Sequence, residues 1–195
     1  MSSKIGLNLL KYYSINFDAA VRSKKEIKFI ILHYTGMKKE SYAIKRLCDQ
    51  KAKVSSHYFI RNNGKILNLV PDLYKAWHAG ISCWKNYSSL NQHSIGIEIN
   101  NPGHYNTYKK FSLKQINSLI KLLKHLIKKY KINKSNVLGH SDISPDRKKD
   151  PGEKFPWKKL ANHNLCKWHK LSKKKLMKCR NLKIKKFEKK LFFNN

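Results

Sequence analysis

The chain has 195 residues, enough for one compact domain with its own core and too few for two large ones. Its 43 Lys and Arg against 11 Asp and Glu give a net charge of +32, and only five of those cations are Arg. Such a Lys excess attracts anionic surfaces and polymers but lacks the Arg forks of a dedicated nucleic-acid reader, so no specific nucleic-acid partner is expected.

In chain order, residues 1–11 hold Lys4, a short apolar patch and Lys11, with no continuous h-region or cleavage pattern after them. This speaks against an ordinary signal peptide, and no apolar run is long enough to span a membrane. Residues 26–33 carry a β-branched and aromatic run suited to a buried central strand, ending at polar His33 with a turn-like Tyr34-Thr35-Gly36 exit. Residues 39–50 show a weak helical pattern. Arg61-Asn62-Asn63-Gly64, between extended segments at 56–60 and 65–70, signals a hairpin, and Pro71 closes its second strand. A loop region containing Trp77-His78-Ala79-Gly80 follows. Residues 93–99 alternate as a strand with Glu98 and Asn100 on one face and Ile97 and Ile99 on the other.

The clearest helix is at 112–131. Ser112 is its candidate N-cap with Gln115 three residues on, and Leu113, Ile116, Leu119, Ile120, Leu123, Leu126 and Ile127 form its apolar stripe. Residues 136–138 read as a short strand and 156–160 as a short helix. Together these elements predict an α/β domain over residues 1–161, a mixed central β-sheet flanked by helices. Residues 162–195 form a Lys-rich extension too poor in apolar residues for a core, although Leu182, Phe187, Leu191 and Phe192 suit a short amphipathic helix. The cysteines at 48, 83, 166 and 179 make no Cys-x-x-Cys pair and read as buried apolar groups or as pairs in an oxidising compartment.

Chemistry concentrates at residues 140–152. His140 and Asp150 stand ten residues apart in a polar segment bounded by Gly139 and Pro151-Gly152, with Lys148 two residues before the carboxylate. With His33 they make a candidate hydrolytic zinc site, because a catalytic zinc commonly takes two histidines and a carboxylate and leaves a fourth position for water. Glu98 is the only acidic residue between Asp72 and Asp142 and is a candidate general base on a polar strand face. Lys148 could place positive charge where an oxyanion develops. Bland readings stand beside each of these. A strand-end histidine suits plain hydrogen bonding, Asp150 before Pro-Gly suits an Asx-turn, and Lys148 is one of 38 lysines.

Over roughly residues 15–161 the chain resembles the zinc-dependent N-acetylmuramoyl-L-alanine amidases of the type 2 group, related in fold to T7-type lysozyme and peptidoglycan recognition proteins. The resemblance rests on Ile31-Leu32-His33-Tyr34-Thr35, Ser55-Ser56-His57-Tyr58-Phe59-Ile60, Trp77-His78-Ala79-Gly80, Ser94-Ile95-Gly96-Ile97-Glu98-Ile99-Asn100, and the segment from Gly139 to Gly152 continuing to Phe155-Pro156-Trp157. It implies Zn2+ held by His33, His140 and Asp150, with Glu98 as catalytic glutamate and Lys148 as transition-state lysine. The implied reaction is hydrolysis of the amide between N-acetylmuramic acid, or its anhydro form, and L-alanine in peptidoglycan or muropeptides. Trp77, His78 and His57 would line the groove, and Arg61 would bind a peptide carboxylate. Outer-membrane members carry a lipobox cysteine and a wall-binding module, neither of which matches here. A soluble muropeptide substrate would fit a cytoplasmic enzyme, and intact anionic wall would fit the +32 charge and a periplasmic or wall-associated one. Two further readings are a non-catalytic peptidoglycan-binding module on the same fold, and a nucleic-acid binder driven by the lysines.

Overall fold

The apolar run ending at His33 forms a buried inner strand, one in from the edge rather than central, of a six-stranded mixed sheet in the computed structural model, which describes residues 9–169, 171–172 and 174–175. The elements follow as β1 (Leu9–Lys11), β2 (Phe17–Asp18), β3 (Phe29–Tyr34), α1 (Glu40–Cys48), β4 (Tyr58–Ile60), β5 (Ile66–Asn68) and β6 (Lys75–Ala76). Then come β7 (Cys83–Trp84), β8 (Tyr87–Ser88), β9 (Ser94–Ile99), α2 (Leu113–Tyr130), β10 (Val137–Gly139), α3 (His140–Ile143) and α4 (Trp157–Asn162). The main sheet has the order β1-β5-β4-β9-β3-β10, while β2 with β6 and β7 with β8 make two small antiparallel ribbons. The α/β architecture expected from the sequence is the one found.

Strands β4, β9, β3 and β10 run parallel, so their carboxyl ends lie along one edge, where open α/β sheets bind ligands. Period-2 alternation then divides the side chains. Ile30, Leu32, Ile95, Ile97 and Ile99 face α2 and join its buried residues in the largest core cluster. The opposite face carries Phe29 and Ile31 under Ala79, Leu90, Leu138 and Ile143, and Phe59 and Leu67 under α1 residues Ala43 and Leu47. Between these two apolar clusters the same face presents His33 and Glu98.

The expected capping box of α2 is present, with Ser112 Oγ accepting from the Gln115 N–H and Gln115 Oε1 accepting from the Ser112 N–H. Gln115 Nε2 also donates to Asn100 O at 2.7 Å, which fastens the helix start to the end of β9. The apolar stripe is rotated from its expected position. Leu113 is 72% exposed and Leu122 is fully buried. The buried arc centres near Leu123 and Leu126, and at roughly 100° per residue this turns Leu113 away from the sheet. Core packing also continues past residue 161, the expected domain end, because Leu165 and Cys166 are buried against the α2 cluster. Cys48, Cys83 and Cys166 are free thiols. Cys179 and the amphipathic segment expected near Leu182 lie outside the described residues, among which no helix is long and apolar enough to cross a membrane.

A buried carboxylate ties α2 to the segment after β5. Asp72 accepts from the Tyr58 and Tyr130 hydroxyls at 2.6 Å each and from Lys129 Nζ at 2.8 Å. Burial raises its pKa, but the bonds from Lys129, Tyr130 and Tyr58 outweigh that and hold it below the usual carboxylate range. Asp72→Ala strands two phenolic hydroxyls, and it is expected to lower unfolding free energy in urea by about 2–4 kcal/mol. A loss under about 0.5 kcal/mol would show the network to be incidental.

Candidate metal centre and active site

β3 and β9 pair in register, which makes His33 and Glu98 partners that project from the same face of the sheet. His140 begins α3 directly after β10, whose Gly139 pairs with Leu32. A Cβ on Gly139 would lie 2.7 Å from Pro151 Cδ, so a glycine lets the distal end of the segment close onto the strand. Ser141 N–H donates to Asp150 O and Lys148 N–H to Ser144 O, both at 2.9 Å, which folds the ten-residue spacing back on itself. Arg147 Nη2 anchors the loop on Ala79 O and Ile81 O at 3.0 and 2.7 Å.

The result is a convergence of three buried atoms. His33 Nδ1 lies 2.9 Å from His140 Nδ1, and Asp150 Oδ2 lies 2.9 Å from the first and 3.1 Å from the second. His33 is neutral near pH 7, since burial and then the neighbouring His140 push its pKa down to about 4. Neutral imidazole nitrogens without a proton and an ionised carboxylate are all electron-pair donors, so a cation resolves their mutual approach better than any proton can. A tetrahedral ion with bonds of about 2.0–2.1 Å has ligand-to-ligand edges of about 3.3 Å, which this triangle reaches with a small expansion. His33, His140 and Asp150 thus form a group able to hold a metal ion.

Glu98 stands beside that triangle. Its Oε2 is buried and has no hydrogen-bond partner. Burial, and after it the charge of Asp150, pushes its carboxyl up to about 8, with Lys148 acting in the opposite direction. Lys148 is half-buried and close enough to lower the pKa of both Glu98 and His33. A buried carboxyl poised in this range beside the triangle, with no hydrogen bond on Oε2, can take up and return a proton.

The other residues expected at the site divide into buried and exposed groups. His57 is fully buried, with Nδ1 accepting from the Gly96 N–H at 2.9 Å and Nε2 bonded to Tyr74 O at 3.0 Å. Burial and the neighbouring Arg22 push its pKa down to about 3. His78 is 9% exposed and packs between His57 and His33, at ring-centroid distances of 5.6 and 5.2 Å. Both rings therefore lie inside the face rather than along an open groove. Trp77 is half-buried and its indole N–H bonds Asp18 Oδ1 at 2.5 Å. Arg61 Nε is engaged by Glu40 at 2.6 Å, and the residue lines a groove of about 930 Å³ beside α1 that reaches none of the triangle residues. Sequence reasoning passed over Asn91, Ser94 and Gly96, which support His78. The one available signal was a glycine inside a strand, a mark of close approach.

An α/β sheet with a histidine–carboxylate metal-capable triangle and an unpartnered glutamate at its strand ends has the equipment of a metal-assisted hydrolase. Residues 23–153 match the N-acetylmuramoyl-L-alanine amidase family, and the chain belongs to it. It is 42% identical over 154 residues to the N-acetylmuramoyl-L-alanine amidase AmiD of Escherichia coli K12, covering 73% of this chain and 55% of that protein. It is 37% identical over 113 residues to the 1,6-anhydro-N-acetylmuramyl-L-alanine amidase AmpD of Haemophilus influenzae, covering 56% of this chain and 58% of that one. The chain thus spans little more than half the length of these relatives. The solved structure of E. coli AmiD with the substrate anhydro-N-acetylmuramic acid-L-Ala-D-gamma-Glu-L-Lys matches with a TM-score of 0.68 at 39% identity, covering 77% of this chain and 62% of that one.

Proposed function

We propose that this protein is a zinc-dependent N-acetylmuramoyl-L-alanine amidase that separates the lactyl group of N-acetylmuramic acid, or its anhydro form, from L-alanine of the stem peptide. The observation that carries this reading is the meeting of the His33, His140 and Asp150 donor atoms beside the unpartnered carboxyl of Glu98. Family membership supports it, as does the anhydro-muropeptide held by E. coli AmiD.

His33 Nδ1, His140 Nδ1 and Asp150 Oδ2 would hold the zinc. When bound, the ion lowers the pKa of a water to about 7 and polarises the scissile carbonyl. Glu98 takes the proton of the attacking water and returns it to the nitrogen of the departing L-alanine, so that the amine leaves neutral. Lys148 supplies positive charge beside the carbonyl oxygen as the tetrahedral centre forms. Trp77 and Arg61 keep partly exposed surface and remain the candidates for glycan and peptide contact, while His57 and His78 act from beneath. The catalytic unit is the packed domain, and with intact anionic wall as substrate the Lys-rich extension would serve as an electrostatic anchor to it. A soluble muropeptide substrate would fit a cytoplasmic enzyme instead.

Mass spectrometry of anhydro-muropeptides incubated with the zinc-loaded protein tests the assignment. The expected products are the intact sugar lactyl acid and a stem peptide with a free L-alanine amine. Cuts confined to glycosidic or internal peptide bonds, or no turnover at about one zinc per chain, would overturn it. Intact sacculi in a parallel arm report whether wall is also a substrate.

A further inference from the structure

We propose that the dipeptide His78-Ala79, seated by Asn91 and Ser94, fixes which ring nitrogen carries the proton on both histidines of the metal centre, with His78 the positioning residue for His33. The inference rests on reading His33 and His140 as metal ligands. It follows from the directions in which the hydrogen bonds can run. Ser94 Oγ donates its single proton to Leu90 O at 2.5 Å, so towards His78 Nε2, 3.2 Å away, it can only accept. The His78 proton therefore sits on Nε2, and Nδ1 keeps a lone pair. That lone pair faces His33 Nε2 at 3.1 Å, which places the His33 proton on Nε2 and leaves Nδ1 bare towards the centre. The relay Leu90 O, Ser94, His78, His33 thus has one direction, and it ends in a nitrogen able to bind a cation.

The neighbouring residue does the same for the second ligand. Ala79 O lies 3.0 Å from His140 Nε2 and can only accept, so the His140 proton is on Nε2 and its Nδ1 is also bare. Arg147 Nη2 donates to the same carbonyl at 3.0 Å and keeps it aimed. Both peptide N–H groups of the dipeptide, that of His78 at 3.1 Å and that of Ala79 at 2.7 Å, donate to a single atom, Asn91 Oδ1. Gly96 completes the seat, because a Cβ there would come within 2.3 Å of His78 Cγ. One clamped dipeptide therefore holds both imidazoles ready before any ion arrives. A hydrogen-bonded second layer of this kind tunes ligand basicity and orientation.

Long-range 1H–15N spectra of the metal-free protein near pH 7.5, joined to zinc affinities from chelator competition, test the proposal. Wild type is expected to show His33, His78 and His140 all protonated at Nε2 alone. Ser94→Ala removes the acceptor that sets the relay, and it is expected to populate the other His78 tautomer and weaken zinc binding by about 10–100-fold. His78→Asn restores an acceptor near the Nδ1 position and should bind zinc within a few-fold of wild type, whereas His78→Leu should bind it as weakly as Ser94→Ala. Circular dichroism and the melting temperature serve as the fold control, with Ser94→Ala as the conservative variant. A His33 ring protonated at Nδ1 in wild type, or wild-type zinc affinity in both Ser94→Ala and His78→Leu, would overturn the positioning role. The stated tautomers in a protein that binds no zinc would support the positioning role and overturn the metal reading instead.

Discussion

Glu98→Gln is expected to reduce hydrolysis by about 10²–10⁴-fold while zinc stays at about one per chain and the metal-free protein melts at a higher temperature. Three separate consequences follow from one carboxyl. Glu98 does not belong to the His33, His140 and Asp150 triangle, so its amide isostere leaves the ion's donors in place. The amide cannot accept and return a proton, and turnover is lost without loss of the centre. Stability moves the other way because the fold holds this carboxyl in the wrong surroundings for a charge. Its Oε2 is buried without a partner, and its pKa is pushed up to about 8 by burial and by Asp150. A neutral amide removes that cost, and a gain of several degrees in melting temperature is the size to look for in a domain of this length. Zinc content by atomic absorption, turnover on anhydro-muropeptide and calorimetry on the metal-free protein report the three readouts. A variant that keeps more than a tenth of the activity, or that loses its zinc, would remove Glu98 from the role of proton carrier.

The sequence made some parts of this site legible and hid others, for physical reasons. Strand periodicity alone placed Glu98 on the polar face of its strand, and the β3–β9 register then brought it alongside His33. The capping pattern at Ser112 and Gln115 is local, and it appears in the structure as it does in the sequence. The meeting of His33 with His140 and Asp150 is another matter. It depends on β10 pairing with β3 across more than a hundred residues, which no local pattern encodes; ligand chemistry nominated the three residues, and the family resemblance fell on the same positions. The short strands β1, β2, β6, β7 and β8, at two or three residues each, carry too little periodicity to be read. The resemblance implied that His57 and His78 line the groove, and the structure buries both rings. Their burial is set by Gly96, Asn91 and Ser94, whose contacts exist only after the loop folds onto the sheet.

Stripped of metal, the protein is expected to be most stable near pH 6.5 and to weaken on both sides of it. On the acid side the buried imidazoles decide. His33 and His57 titrate at about 4 and about 3 in the fold, and burial, with neighbouring His33 and His57, holds His78 well below its ordinary value. The unfolded chain protonates such rings near pH 6.5, so below that pH it binds the extra protons and each ring costs about 1.4 kcal/mol per pH unit. Glu98 has the opposite sign. Between 4.5 and about 8 its folded carboxyl holds a proton that the unfolded chain has released, which adds stability as the pH falls. Three rings against one carboxyl leave two net protons, or up to about 2.7 kcal/mol lost per unit below pH 6.5. Above pH 6.5 Glu98 acts alone, and stability falls by up to about 1.4 kcal/mol per unit towards pH 8. Roughly two to three units of acidification therefore remove up to about 5–8 kcal/mol, enough to unfold a metal-free domain whose total lies at the lower end of the typical 5–15 kcal/mol. Zinc is expected to flatten the alkaline limb, because a cation beside Glu98 favours its ionised form and lowers the pKa that burial has raised. Urea midpoints from pH 4.5 to 8.5, with and without zinc, should show the optimum moving upward when the metal is added. A flat metal-free profile would mean that the row of imidazoles is open to water in solution, and the close packing of His33, His57 and His78 would then have to be abandoned.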